Sequence, residues 1–307
     1  AQDDSINVPM NILIANPGLI PVSNYGGTER VLWGLGKALA SMGHSITFLV
    51  NPGSTCSFGR VIYFAPGKSI TDLIPEDIDI IHFNFIPNVK INKPYVITMH
   101  GNIDPAGREN NIIFVSRDQA QRFGSDSFVY NGLDWNDYLA PDFKVKRNYF
   151  HFLGNAAWRV KNLKGAIQIA DKCHEKLAVI GGTRLNFRMG FRLTLNPRVH
   201  FYGMVGDQEK YKIMNGSKGL IFPVRWSEPF GLALIESLYM GCPVFGTPYG
   251  SLPEIVHNEI GFLSSNSDEL AKAAENASSF DKKKCSEYVI DNFNSRKMAL
   301  DYLKNYE

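Results

Sequence analysis

The sequence predicts an α/β protein made of two parallel-sheet domains. Three observations predict it. Short apolar runs alternate with segments of helical periodicity along most of the chain. Two of those runs, one in each half, lead through a glycine-containing turn into a helix: Asn11 to Ala15, and Tyr149 to Leu153. The 307 residues are enough to bury two separate cores.

In the first half, the strand Asn11 to Ala15 is followed by a loop carrying Pro17, Gly18, Pro21, Gly26 and Gly27. A helix over Thr28 to Met42 places Val31, Leu32, Leu35, Ala38 and Leu39 on one face, and Gly43 closes it. The loop is not G-x-G-x-x-G, and no acidic residue ends the second strand, Ile46 to Val50, so a dinucleotide site is disfavoured. Further strands are expected over Ile78 to Phe83, Tyr95 to Met99 and Ile112 to Val115, the last leading through Ser116 into a helix ending at Phe123. Asp77 and Asp79 spell D-x-D, yet they sit at a strand's entrance, whereas ligands of open α/β sheets gather at strand exits. No metal site is expected from them. His82 lies inside the strand and reads as structural, whereas His100 sits at a strand's carboxyl end, where ligands collect. A strand ending in Val129 to Asp134 closes this half, and the domain boundary is placed between Asp134 and Asn148.

In the second half, Arg159 and Lys164 flank the start of a helix at about Leu163, where two cations could neutralise a diphosphate; Lys161 is the rival of Lys164. Strands follow over Lys176 to Ile180 and Arg198 to Tyr202, then a helix over Asp207 to Asn215. The run Gly219 to Val224 reads as a buried parallel strand. Pro229 is placed at the first position of a helix, Phe230 to Met240, closed by Gly241. The free N–H groups of Phe230, Gly231 and Leu232 make an anion-binding helix end. Glu228 and Glu236 frame that helix about 12 Å apart, and a carboxylate so placed can accept two ribose hydroxyls. Cys242 to Phe245 is the next strand, and a glycine- and proline-rich turn opens a helix near Pro253. Helices over Asp268 to Ala277, Lys282 to Phe293 and Asn294 to Asn305 end the chain.

Composition bounds the function. A formal net charge of +2 gives no field for nucleic acid. Four scattered cysteines without C-x-x-C argue against a structural zinc or a disulfide framework and fit a reducing compartment. No apolar run approaches the roughly 20 residues needed to span a bilayer. Residues 1–9 are polar and precede Met10, so they read as a disordered or appended leader.

Four segments together carry a resemblance: E-P-F-G-L-A-L-I-E from Glu228, M-G-C-P-V from Met240, G-S-L-P-E-I-V from Gly250 and G-F-L from Gly261. They resemble the donor-site segment of retaining glycosyltransferases of the GT-B fold, glycosyltransferase family 4. The resemblance implies two Rossmann-like domains facing a central cleft. The acceptor domain would span 10–145, rejoined by a last helix at about 294–307 whose packing face is Met298, Leu300 and Leu303. The donor domain would span 146–293. The resemblance further implies that Glu228 faces the donor sugar, that Glu236 binds the ribose, and that Phe230, Gly231 and Leu232 contact sugar and phosphate. It places Gly26, Gly27, Arg159 and Lys164 at the donor diphosphate and His100 beside the sugar. The family's glycine directly precedes its arginine; here Asn155-Ala156-Ala157-Trp158 intervene.

The implied activity is metal-independent transfer of a sugar, with retained configuration, from a nucleotide-diphosphate sugar to an acceptor hydroxyl. No cofactor is expected beyond that co-substrate, a UDP- or GDP-sugar. The acceptor would be a glycan, a lipid-linked molecule or a small molecule, in the cytoplasm or at the inner face of a membrane. A GT-B sugar-nucleotide epimerase, a non-catalytic sugar-nucleotide binding module and a nicotinamide-dependent oxidoreductase are the rival readings.

Overall fold

The computed structural model describes residues 8–22, 26–105 and 111–306. All of the expected leader except Val8 and Pro9 lies outside the described residues, as does part of the loop before Gly26.

Two six-stranded parallel sheets form the molecule. The first contains β1 (Asn11–Ala15), β2 (Ser45–Val50), β3 (Arg60–Tyr63), β4 (Ile80–Phe83), β5 (Tyr95–Met99) and β6 (Ile112–Phe114), in the order β3-β2-β1-β4-β5-β6. The second contains β7 (Tyr149–Leu153), β8 (Leu177–Ile180), then, beyond a separate hairpin of β9 (Leu185–Asn186) and β10 (Arg192–Leu193), β11 (Val199–Gly203), β12 (Ser217–Phe222), β13 (Val244–Gly246) and β14 (Gly261–Leu263). Its order is β11-β8-β7-β12-β13-β14. Counted from its own first strand, each sheet runs third, second, first, fourth, fifth, sixth. The order reverses beside β1 and beside β7, and such reversals leave a crevice at the strands' carboxyl ends.

The helices are α1 (Gly27–Ser41), α2 (Arg117–Arg122), α3 (Leu163–Lys172), α4 (Asp207–Asn215), α5 (Leu232–Tyr239), α6 (Leu252–Ile255), α7 (Ser267–Glu275), α8 (Lys282–Asn292) and α9 (Ser295–Tyr306). The central strands are buried on both faces, which is why they read as unbroken apolar runs. Among the described residues no helix is long and apolar enough to cross a membrane, and all four cysteines are free.

Several local readings need correction. β3 was not anticipated, because a four-residue edge strand with partly exposed faces lacks a strong apolar signal. The segment near Val129 forms only an isolated bridge, Phe114 to Phe128, in place of a strand. Pro229 does not begin α5. Gly231 takes a left-handed φ of 85°, and the helix starts only after it. Glu228 pairs with Gly250 as an isolated parallel bridge, and its carbonyl accepts from Ser251 N at 3.0 Å, which holds this stretch extended. Leu300 points outward, 42% exposed. The packing face of α9 is Met298, Ala299, Tyr302, Leu303 and Tyr306, a stripe of positions separated by one, three and four.

α9 lies against α1, and its tyrosines reach the first sheet. Tyr306 OH bonds His82 Nδ1 at 2.7 Å, His82 Nε2 bonds Thr98 Oγ1 at 2.7 Å, and Thr98 Oγ1 bonds Tyr302 OH at 2.9 Å. His151 on β7 is likewise held between Ser217 Oγ and Ser237 Oγ. Burial lowers the pKa of His82 and of His151 to about 3, and that of His100 to about 4. The unfolded chain therefore binds more protons than the native one below the ordinary histidine value. Stability from these neutral rings is complete above about pH 6.5 and is lost as pH falls toward 4. The three together should remove roughly 4 kcal/mol per pH unit. A series of melting temperatures between pH 7 and 4.5 checks this; a flat series would contradict it.

Candidate functional site

A cleft of about 540 Å³ lies between the carboxyl ends of the two sheets, a size suited to a small organic ligand. Its floor on the second domain is Trp226, the stretch from Glu228 to Gly231 and the start of α5. Among the described residues, the N–H groups of Phe230, Gly231 and Leu232 meet no protein acceptor, so the positive end of α5 faces the cleft unneutralised.

Glu228 is buried within this loop yet fully partnered. Lys161 Nζ approaches its Oε2 at 2.6 Å and Oε1 at 2.8 Å, and Trp226 Nε1 donates to Oε2 at 2.7 Å. Lys161 Nζ also lies 5.0 Å from the centre of the Trp226 ring and 5.4 Å from that of Phe222, within cation–π range. The backbone aims Lys161 here. Arg225 N donates to Val160 O at 2.7 Å, and Asn162 Nδ2 donates to Pro223 O at 2.8 Å. Asn162 itself is left-handed, with φ 55°, and its Oδ1 caps α3 by accepting from Gly165 N.

The other two cations named from sequence are elsewhere. Lys164 is exposed on the first turn of α3, and Arg159 is exposed with its guanidinium against Gly190 of the β9–β10 hairpin. Neither lines the cleft, whereas Lys161 does. The chain between Gly154 and α3 is folded into two turns, so spacing along it does not predict which cation points inward.

Glu236 is the second buried carboxylate of the cleft. Its Oε1 accepts from Lys210 Nζ at 2.7 Å and from Tyr138 OH at 3.0 Å. Lys210 is 3.4 Å from Asp207 Oδ1, and Asp207 Oδ2 receives Arg30 of α1 at 2.7 Å. One chain of alternating charge therefore runs from α1 through α4 to α5. Burial, then the Glu236 charge, push the Tyr138 hydroxyl well above its ordinary pKa, so it remains a donor. Lys210, Tyr138, Asp207 and Arg30 were not singled out from sequence; Lys210 is one of two lysines in α4, and nothing local marks it as the one that points inward.

The opposite wall comes from the first domain. A Cβ on Gly27 would stand 3.0 Å from Leu232 Cδ1, so the starts of α1 and α5 approach closely across the cleft. His100 Nε2 is 2.8 Å from Asn84 Oδ1, and Asn84 Nδ2 donates to Ala15 O at 3.2 Å. That amide orientation makes His100 Nε2 the donor and leaves Nδ1 unprotonated, in keeping with its pKa of about 4. Gly26, Gly27, His100, Glu228, Phe230, Gly231, Leu232 and Glu236 all line this one space. Asp77 and Asp79 do not: Asp77 pairs with Arg60 at 3.1 Å, and Asp79 Oδ2 accepts from Asn11 N at 2.7 Å, both at the amino ends of strands.

Polar ties cross between the domains. Asn102 Nδ2 donates to Ser227 O at 2.6 Å. Glu254 of α6 accepts from Arg117 N at 3.0 Å, from Asp118 N, and from Tyr130 OH at 2.7 Å, so it caps the start of α2.

The comparisons with known proteins agree with this architecture. A sequence profile of the family described as "Glycosyl transferases group 1" matches residues 139–292. An uncharacterised 41.2 kDa protein of the cps region of Klebsiella pneumoniae is 26% identical over 152 residues, covering 47% of this chain and only 41% of that protein. D-rhamnosyltransferase WbpZ of Pseudomonas aeruginosa is 23% identical over 270 residues, covering 79% of this chain and 70% of that enzyme. Among solved structures, AviGT4, a glycosyltransferase involved in avilamycin A biosynthesis, superposes with a TM-score of 0.79 at 19% identity over 97% of both chains. HepE of Anabaena, in complex with UDP and glucose, gives 0.69 at 17% identity over 96% of this chain and 98% of that one. These structural likenesses establish the fold as GT-B.

The Lys210–Glu236 pair yields a stability test. Lys210→Met leaves a buried carboxylate with Tyr138 as its remaining partner and should cost about 3–5 kcal/mol. Lys210→Met with Glu236→Leu removes both charges and should recover most of that loss. Urea unfolding of the four proteins measures the cycle; a double variant whose loss equals the sum of the two single losses would show that the pair is not coupled.

Proposed function

The chain belongs to the glycosyl transferases group 1 family, and from this we propose that it transfers a sugar from a nucleoside-diphosphate sugar to an acceptor hydroxyl, with the anomeric configuration retained. The observation that carries the reading is the convergence of Lys161, Glu228, Glu236 and the unneutralised start of α5 on one interdomain cleft.

Each group has a task that its geometry suits. The diphosphate lies at the N–H groups of Phe230 to Leu232, with Gly26 and Gly27 close enough to enclose it. Lys161 adds a charge-assisted bond to the phosphate. It can do so only by sharing its ammonium with Glu228, or by releasing it. Glu236 takes the ribose hydroxyls through Oε2, because Lys210 and Tyr138 already hold Oε1. The base lies against Gly154, Ile180, Gly181 and Met204, at the exits of β7, β8 and β11. The neutral His100 accepts a hydroxyl of the donor sugar, and Glu228 orients the remainder of that sugar.

In the step itself, the bond between the anomeric carbon and the phosphate oxygen breaks, and its electron pair stays on the diphosphate. The acceptor oxygen bonds to the same face of that carbon. The acceptor's proton passes to the departing phosphate oxygen. Negative charge therefore grows on the leaving group, where Lys161 and the start of α5 can stabilise it. Closure of the domains keeps water from the carbon. HepE, the structural neighbour solved with UDP and glucose, supports a uridine donor as the first to try.

A thermal-shift panel of UDP-, GDP- and ADP-sugars identifies the donor, and a panel without any shift would count against the reading. Glu236→Ala should weaken the stabilising donor about 10- to 100-fold in Kd. Lys161→Ala should lower kcat/KM by roughly a hundredfold or more, while Lys164→Ala changes it less than about threefold, as for a solvent-exposed charge. The reverse ranking would return the phosphate role to Lys164.

A further inference from the structure

The hairpin of β9 and β10 exposes an apolar face that the fold does not cover. Leu185 pairs with Leu193 across the ribbon, and the rings of Phe187 and Phe191 lie 5.8 Å apart on that same face. Phe187 is 73% exposed and Phe191 70%; Leu195, just beyond, is 80% exposed, and Met189 in the turn is 61% exposed. The other face is fastened to the domain. Arg192 lies over the Phe201 ring at 5.4 Å and donates to Thr183 O at 3.0 Å. Arg184 lies over the same ring and donates to the carbonyls of Thr194, Asn196 and Val199. The exposed side chains therefore stand on an anchored ribbon. Ordinary monomers seldom display large apolar side chains so densely without a use for them.

Charge identifies the occupant. Arg188 in the turn is exposed, and from Lys176 to Gly206 the chain carries no acidic residue. Arg159 adds a second cation against Gly190 in the turn. An isologous contact with a second copy would press these like charges together. A surface that is apolar within and anionic at its border complements them.

We propose that the hairpin is a docking element for an anionic lipid bilayer, with Phe187, Met189, Phe191 and Leu195 entering the interface and the exposed Arg188 meeting the headgroups. It stands beside the cleft: Gly181, directly before it, and Met204 and Trp158, both well exposed, line that space. Docking therefore turns the mouth of the cleft toward the lipid surface. A lipid-linked acceptor would follow from this, and that consequence rests on the proposed transfer; the docking itself does not.

The test is flotation of the full chain with vesicles of phosphatidylcholine containing about one-third phosphatidylglycerol, against vesicles of phosphatidylcholine alone. The chain should float with the anionic vesicles and be weakened by added salt. Phe187→Ser with Phe191→Ser should lower the partition coefficient on the order of tenfold or more, and Arg188→Gln about fivefold, with the melting temperature unchanged in each. No flotation, or flotation indifferent to these substitutions, overturns the proposal. So does a concentration-dependent dimer in sedimentation that the double substitution abolishes, which would assign the face to a second copy. Donor stabilisation in the thermal-shift panel reads the transfer hypothesis separately, so the two can fail independently.

Discussion

A buried carboxylate must be paired, and the second domain of this protein is arranged around that requirement at Glu228. The side chain is held by Lys161 and Trp226, and the backbone by Gly250 and Ser251. Leaving such a charge without partners costs several kcal/mol, roughly the whole margin by which a domain is stable. Hence the turn before α3, the loop after β12 and the turn before α6 all meet at one residue. Gly250 is part of the same constraint, since a side chain there would run into the backbone of Glu228. The left-handed Gly231 completes it by ending the extended stretch and opening α5 toward the cleft.

The pairing also bears on ligand binding. Lys161 lines the same cleft as the free start of α5, but its charge is already satisfied by Glu228. A bound phosphate would compete with that carboxylate for one ammonium. Glu236 differs, because Lys210 and Tyr138 occupy one oxygen and hold the side chain in place while the other stays open. In the proposed site the two glutamates would differ: Glu236 would be pre-oriented to accept, and Glu228 would exchange partners. Pre-orientation favours affinity, whereas exchange ties the position of Lys161 to the presence of an anion.

Much of this was legible in the sequence, and the failures have physical causes. The buried strands declared themselves because parallel strands covered on both faces are uniformly apolar. Glu228 and Glu236 were visible as carboxylates framing a helix, but the resemblance carried by the surrounding segments gave them, and the glycines beside α1 and α5, their expected places at the site. His100 stood out by its place at the end of β5. Lys161 was only a rival to Lys164, since the left-handed Asn162 and two consecutive turns set the direction of each cation, and neither leaves a periodic signal. Lys210 and Tyr138 were missed because their partner lies 26 and 98 residues away along the chain. The hairpin was missed because two-residue strands are too short to alternate visibly, even though apolar residues do occupy every second position from Leu185 to Leu193, with Asn186, Arg188, Gly190 and Arg192 between them.

The ties between the domains are polar at the rim of the cleft and aromatic beneath it, where Tyr130 packs against Phe230 and Phe293 and Trp135 stacks on Tyr239. Asn102 to Ser227, Glu254 to the start of α2, and Arg30 to Asp207 all cross the boundary. α9 works in the opposite sense. It begins beside Leu133, packs on α1 and buries Tyr302 and Tyr306 against the histidine and threonine of β4 and β5. Polar contacts at a wet boundary contribute little net stability each, whereas buried aromatic packing contributes much more. The first domain and α9 should therefore move as one body, while the contacts of Tyr130 and Trp135 with Phe230, Phe293 and Tyr239 tie that body to the second sheet. A ligand entering at the rim would break only hydrogen bonds that water replaces, such as Asn102 to Ser227, and would leave the aromatic contacts beneath in place.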